Sequence, residues 1–129
     1  MSPAGAEEKS SPGLTPPAKI DSLALAKTIH EELRIIDAIV DQWAIENNLP
    51  GGARPTIKDM MVYCKPGTRL FGELLAGRCT DSLGNPISIP RVDAPPRVSR
   101  ATFERLSSVA PEGFWTSSGF QIEAPAPPK

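Results

Sequence analysis

Three kinds of side chain in this 129-residue sequence could do covalent or acid–base chemistry: the single imidazole of His30, the thiols of Cys64 and Cys79, and carboxylate pairs such as Asp37 and Asp41. A histidine acting as general base needs a hydroxyl to deprotonate and a carboxylate to orient it. His30 stands among Lys27, Glu31 and Glu32, on what reads as the solvated side of a helix. A thiol becomes a nucleophile when a base or a positive field favours its thiolate, and neither cysteine has a histidine near it in the sequence. Asp37 and Asp41 are one helical turn apart, as acidic pairs on exposed helix faces commonly are. Structural zinc takes four ligands, usually in closely spaced pairs, whereas these two cysteines lie fifteen positions apart with the histidine far upstream. No G-x-x-x-x-G-K-[ST] or G-x-G-x-x-G run occurs to cradle phosphates. The expectation is a protein without enzymatic activity, cofactor, metal or small-molecule substrate, whose thiols are buried as small hydrophobes.

A second set of residues suits an anionic partner. Lys58, Lys65, Thr68, Arg69 and Arg78 surround the run TIKDMMVYCKPGTRLFGELLAG, Thr56 to Gly77. Thr56 with Asp59 forms a T-x-x-D variant of the capping box, so a helix is predicted over 57–64, burying Ile57, Met60 and Met61. Pro66-Gly67 ends it. Thr68 caps a further helix over 69–76 whose Leu70, Phe71, Leu74 and Leu75 face inward, and Gly77 suits its left-handed stop. Two short helices joined by a tight turn form a helix-turn-helix, whose second helix enters the major groove with its first residues at base edges. Thr68, Arg69 and Glu73 are then expected to point outward, with Lys58, Lys65 and Arg78 free for phosphates.

The run T-I-K-D-M-M-V-Y, followed by L-L two turns into the next helix, resembles the helix-turn-helix of lactose-repressor-type transcription regulators over about 22 of the 129 residues. Met61 stands where that family carries a small residue, usually alanine, and Lys65 where its turn carries glycine. By that resemblance Thr68 and Arg69 would be base readers.

These elements must be positioned by something longer. Ile29, Leu33, Ile36, Val40 and Trp43 recur at spacings of four, three, four and three, which is helical period. Asp21 is a candidate N-cap, and Leu49-Pro50-Gly51-Gly52 supplies the stop. A first helix is predicted from about 22 to 47 or 48, with Ile35 and Ile39 widening its apolar stripe and Glu31, Glu32, Asp37, Asp41 and Glu46 on its other side. The same spacing can serve as core or as a coiled-coil seam, so Ile29, Leu33, Ile36, Val40 and Trp43 are the candidate self-association residues. Past Gly77, a turn cluster at 82–86 predicts a short hairpin, 78–82 with 87–91. Its second arm is confined to an edge by Pro86 and Pro90. A fourth helix is predicted over 100–109 behind the Ser99 cap, burying Phe103 and Leu106, and one strand within FWTSSGFQIEA.

Composition sets the boundaries. Fifteen prolines gather at the two ends and in 86–96. The leader MSPAGAEEKSSPGLTPPA has almost nothing to bury and cannot offset the entropy of ordering. The predicted organisation is a disordered leader (1–19), one small α-rich domain (20–123) and a disordered tail (124–129). The fold class is mainly α with a small β-hairpin: one long N-terminal helix plus three shorter helices between Pro-rich tails. No segment reads as a secretory signal or a membrane span, giving a soluble, cytoplasmic protein as the expectation. The formal net charge is −1, but residues 1–53 hold four Lys/Arg against eight Asp/Glu, net −4, and residues 54–105 nine against five, net +4. The functional expectation is an interaction or assembly module whose partner is another protein or a second copy, paired through the helix at about 22–47. The alternative is a DNA-binding regulator using residues 56–77, with the following hairpin as a wing.

Overall fold

A computed structural model describes residues 17–125, with side chains from residue 21 onward; the leader to residue 16 and the tail from residue 126 lie outside the described residues. Helix α1, Pro17–Asn47, runs on both sides of Asp21, which therefore does not cap it. Its end is local: Asn48 adopts φ 52° and Leu49 N–H reaches back to the Ala44 carbonyl at 3.0 Å, a left-handed stop that asparagine tolerates. Around α1 are arranged α2 (Ile57–Tyr63), α3 (Arg69–Leu75), β1 (Arg97–Val98), α4 (Arg100–Leu106), α5 (Glu112–Thr116) and β2 (Gln121–Ile122).

The short helices start where their caps dictate. Thr56 Oγ1 accepts from Asp59 N–H at 3.1 Å and the Asp59 carboxylate accepts from Thr56 N–H at 2.8 Å, a complete reciprocal box. Thr68 and Ser99 cap α3 and α4 by accepting from Phe71 N–H and Thr102 N–H. Helix α3 closes on Gly77 at φ 86°, with Arg78 N–H donating to the Glu73 carbonyl at 2.8 Å, the left-handed closure that glycine adopts without penalty.

The core forms on one face of α1. Ile29, Leu33, Ile36 and Val40 are each no more than 2% exposed, and Met60, Leu74, Val98, Leu106 and Trp115 pack into the same cluster. Burying each such side chain is worth about 1.5–3 kcal/mol.

Three sequence expectations are corrected. The hairpin at 78–82 and 87–91 is reduced to one antiparallel bridge, Thr80 with Pro86, flanked by bonds from Ile87 N–H to the Cys79 carbonyl and Asp81 N–H to the Asn85 carbonyl. Prolines 86 and 90 have no N–H to extend the ladder; the second arm instead exchanges bonds with the 52–53 segment through Val92. The only named strands among the described residues, β1 and β2, are parallel, pairing Arg97 with Gln121 and Val98 with Ile122. Glu112–Thr116 forms a fifth helix, so Trp115, within the stretch expected to hold a strand, is helical and fully buried.

Candidate functional site

Helix α1 and the α2–α3 connection face each other across a groove of about 660 Å³. Ile35, Ala38, Ile39 and Gln42 line it from α1, and Tyr63, Cys64, Lys65 and Leu70 from the opposite side. Its two ends are closed by polar contacts. At one, Arg69 Nε donates to Glu32 Oε2 at 2.9 Å, and the other Glu32 oxygen accepts from Ser82 N–H at 2.9 Å. At the other, the Tyr63 hydroxyl donates to Glu46 Oε1 at 3.2 Å and accepts from Asn47 Nδ2 at 3.4 Å.

Glu32 is 8% exposed, so it belongs to the packed side of α1 and not with the solvated acids. A carboxylate there survives only if paired and hydrogen-bonded; Arg69 and Ser82 supply both needs. Arg69, 37% exposed, and Glu73, half-buried, are both engaged within the chain by the same network. Arg69 also donates to Thr80 Oγ1 at 3.2 Å and to the Thr80 carbonyl, while Glu73 accepts from Arg78 at 3.0 Å and from Thr80 at 2.8 Å. Thr68 is occupied too, donating to the Lys65 carbonyl at 2.7 Å while capping α3. The fold thus gathers Lys65, Thr68 and Arg69 along one groove, engages the last two in bonds within the chain while leaving them exposed, and ties Arg78 to Glu73. Lys58 is exposed.

The Arg78 and Thr80 hydrogen bonds hold the Glu73 carboxyl at about 2, below its ordinary 4.5. A lowered folded-state pKa stabilises the fold above the ordinary value, and that contribution fades as the pH falls toward the folded one. Urea midpoints of the wild type and Glu73→Gln should therefore differ at neutral pH and converge between pH 4.5 and about 2. Parallel curves across that window would remove this linkage.

The predicted self-association residues are placed differently. Ile29, Leu33, Ile36 and Val40 form the core, and Trp43 is half-buried against it. The four core residues are covered by the chain's own later elements and present no surface to a second copy, whereas Trp43 keeps part of its ring exposed. The exposed stripe lies one step around the helix. Ile35 is 42% exposed and Ile45 73%, with Ala38 and Gln42 between them, and on α2 the neighbour of Tyr63, Val62, is 74% exposed.

The groups that could do chemistry are quiet. Both cysteines are buried and unpaired with each other. Burial raises the Cys64 thiol, with hydrogen bonds from Thr68 and the Lys65 backbone pulling the other way, and burial pushes Cys79 up to about 11. Both therefore stay protonated at neutral pH, the unreactive form. His30 is not the solvated residue its neighbours implied. Its ring is half-buried among Phe114, Trp115 and Phe120, and Nε2 lies 2.7 Å from the Ser118 hydroxyl. No carboxylate bonds that ring among the described residues, so the orienting member of a triad is missing. Asp37 is raised by burial and then by Asp41. Among the described residues no cluster of three metal-ligating side chains forms, and no helix is long and apolar enough to cross a membrane.

The α1 groove is accordingly the largest concave apolar surface described, and its one buried charge is already matched. Searches against protein-family models, curated proteins and solved structures return no match.

Proposed function

We propose that the protein is a non-enzymatic assembly module that pairs two copies of itself, antiparallel, across the α1 groove. The observation that carries this reading is the outward stripe Ile35, Ala38, Gln42, Ile45, spaced three, four and three beside an open apolar groove. That spacing keeps side chains on one seam of a helix pair. Over about 15 Å of helix it is too short to associate alone, but the groove wall from Tyr63 to Leu70 extends it, and Val62 stands at its edge.

The stripe Ile35, Ala38, Gln42, Ile45 is symmetric about residue 40, which suits a second copy in the antiparallel sense. Lys65 lines the groove, and Glu46 lies beside it, bonded to the Tyr63 hydroxyl. A two-fold axis near residue 40 sets Ile35 of one copy against Ile45 of the other and Ala38 against Gln42.

Sedimentation equilibrium tests it. The wild type should pass from monomer to dimer mass over the micromolar range. Ile35→Glu combined with Ile45→Glu should stay monomeric at every concentration with unchanged helicity, because both positions face water in the single copy and cost the fold little, within about 0.5 kcal/mol each. A wild type of monomer mass throughout would overturn self-pairing and leave the groove to a helix of another protein; a dimeric double variant would move the interface elsewhere.

A further inference from the structure

We propose that Arg54, Arg91 and Arg97 form a binding site for a single phosphate group, separate from the α1 groove. Arg54 is remote in sequence from Arg91 and Arg97, and the three line one small cleft with Ser88, Pro90 and Gln121. Backbone pairing builds that cleft. Gly52 N–H donates to the Val92 carbonyl at 2.9 Å and Val92 N–H to the Ala53 carbonyl at 2.7 Å, holding the Arg54 and Arg91 segments side by side. Gln121 N–H donates to the Pro96 carbonyl at 3.0 Å, fixing Arg97 beside Gln121.

The electrostatics of the cleft are one-sided. No acidic side chain lines it, and none of its three arginines makes an ion pair among the described residues. Arg34, Arg69 and Arg78, by contrast, are each matched by a glutamate. The nearest acid in sequence, Asp93, packs against Gly51 instead. Three like charges held around one cleft repel each other, and a bound anion relieves that repulsion.

The free donors fit a tetrahedral oxyanion. Arg91 uses one Nη1–H on the Gly52 carbonyl at 3.0 Å, and Arg97 its Nε–H on Gln121 Oε1 at 3.4 Å. Both keep further guanidinium N–H groups, Arg54 keeps all of its own, and the Gln121 amide and the Ser88 hydroxyl add donors. Guanidinium forks match phosphate oxygens two at a time. The cleft volume of about 140 Å³ is roughly ten times what one water requires, room for one such group and its water. Ile89, Pro90 and Pro95 close it with apolar surface and no further charge.

Calorimetric titration of the full chain with inorganic phosphate, at fixed ionic strength set with chloride, tests the assignment. One phosphate should bind per chain. Arg54→Gln should weaken it about tenfold, as expected for loss of a charge-assisted contact, and Arg54→Gln with Arg97→Gln further. Arg105→Gln, outside the cleft, should change nothing. Arg54 makes no bond within the chain, so its substitution leaves the fold intact, and equal far-ultraviolet circular dichroism confirms that. Glycerol 3-phosphate and vesicles containing phosphatidic acid carry the same group in soluble and lipid form, and the tighter of the two assigns its source. No heat with phosphate, or equal affinity in the Arg54→Gln variant, overturns the site. So does binding to duplex DNA alone with a steep salt dependence, which marks a polynucleotide reader. The oligomeric state is read separately, so failure here leaves the pairing proposal standing.

Discussion

Replacing Trp115 by alanine should remove about 4 kcal/mol of stability, a large share of what a domain of this size holds. The indole is fully buried, packs edge-on against Phe114 at 4.9 Å and stacks near His30 at 6.2 Å. Its Nε1–H donates to the Ala110 carbonyl at 3.2 Å, pinning the turn between α4 and α5. The space it leaves is bordered by separate elements, so collapse is poor and the cavity cost stands on top of the lost transfer energy. Trp115→Phe should lose less, since most of the volume stays and only the Ala110 carbonyl is orphaned. Urea unfolding followed at two probes reads both. A loss below about 2 kcal/mol for the alanine variant would mean that α5 contributes little to the core.

Asp81→Ala should be nearly as severe, at about 3–4 kcal/mol, for a different reason. The Asp81 side chain is 1% exposed and organises the 79–87 loop. Oδ1 accepts from Leu83 N–H at 2.9 Å and Asn85 N–H at 3.1 Å, and Oδ2 accepts from the Thr102 hydroxyl. The alanine variant leaves two part-buried backbone donors and the fully buried Thr102 hydroxyl without their partner. Asp81→Asn keeps the Oδ1 bonds but turns a donor toward Thr102, whose oxygen already accepts from Asn85 Nδ2 at 2.9 Å. Its loss should therefore be intermediate. Equal stability of the wild type and the alanine variant, by the shift of the urea midpoint at constant slope, would show that the loop holds without this carboxylate.

Both residues show where sequence reasoning stops. The caps were legible because they are local: Thr56 and Asp59 are three residues apart, and so are Thr68 and Phe71, so spacing alone implies the bond. The α1 core was legible because Ile29, Leu33, Ile36 and Val40 repeat with the helix. The same helix misleads about its surface. Ile35, Ala38, Gln42 and Ile45 repeat just as well, and only the placement of α2 and α3 decides which stripe is covered. Glu32 and His30 looked solvated because their partners are remote, Arg69 and Ser82 for one, Ser118 and Phe120 for the other. Strands of two residues carry no alternation to detect. The arginine cleft gathers residues whose meeting depends on the pairing of Val92 with the 52–53 segment.

The central claim is the antiparallel pairing of α1 with α1 of a second copy, and its register predicts a specific covalent product. Chains carrying Ile35→Cys and chains carrying Ile45→Cys are mixed, oxidised mildly and run on a non-reducing gel. Cys64 and Cys79 compete poorly because burial keeps both thiols protonated. The account predicts a crosslinked dimer in the mixture and almost none from either variant alone, since residue 35 faces residue 45 and not its own counterpart. Equal crosslinking of each variant with itself, or no dimer in the mixture, would contradict it.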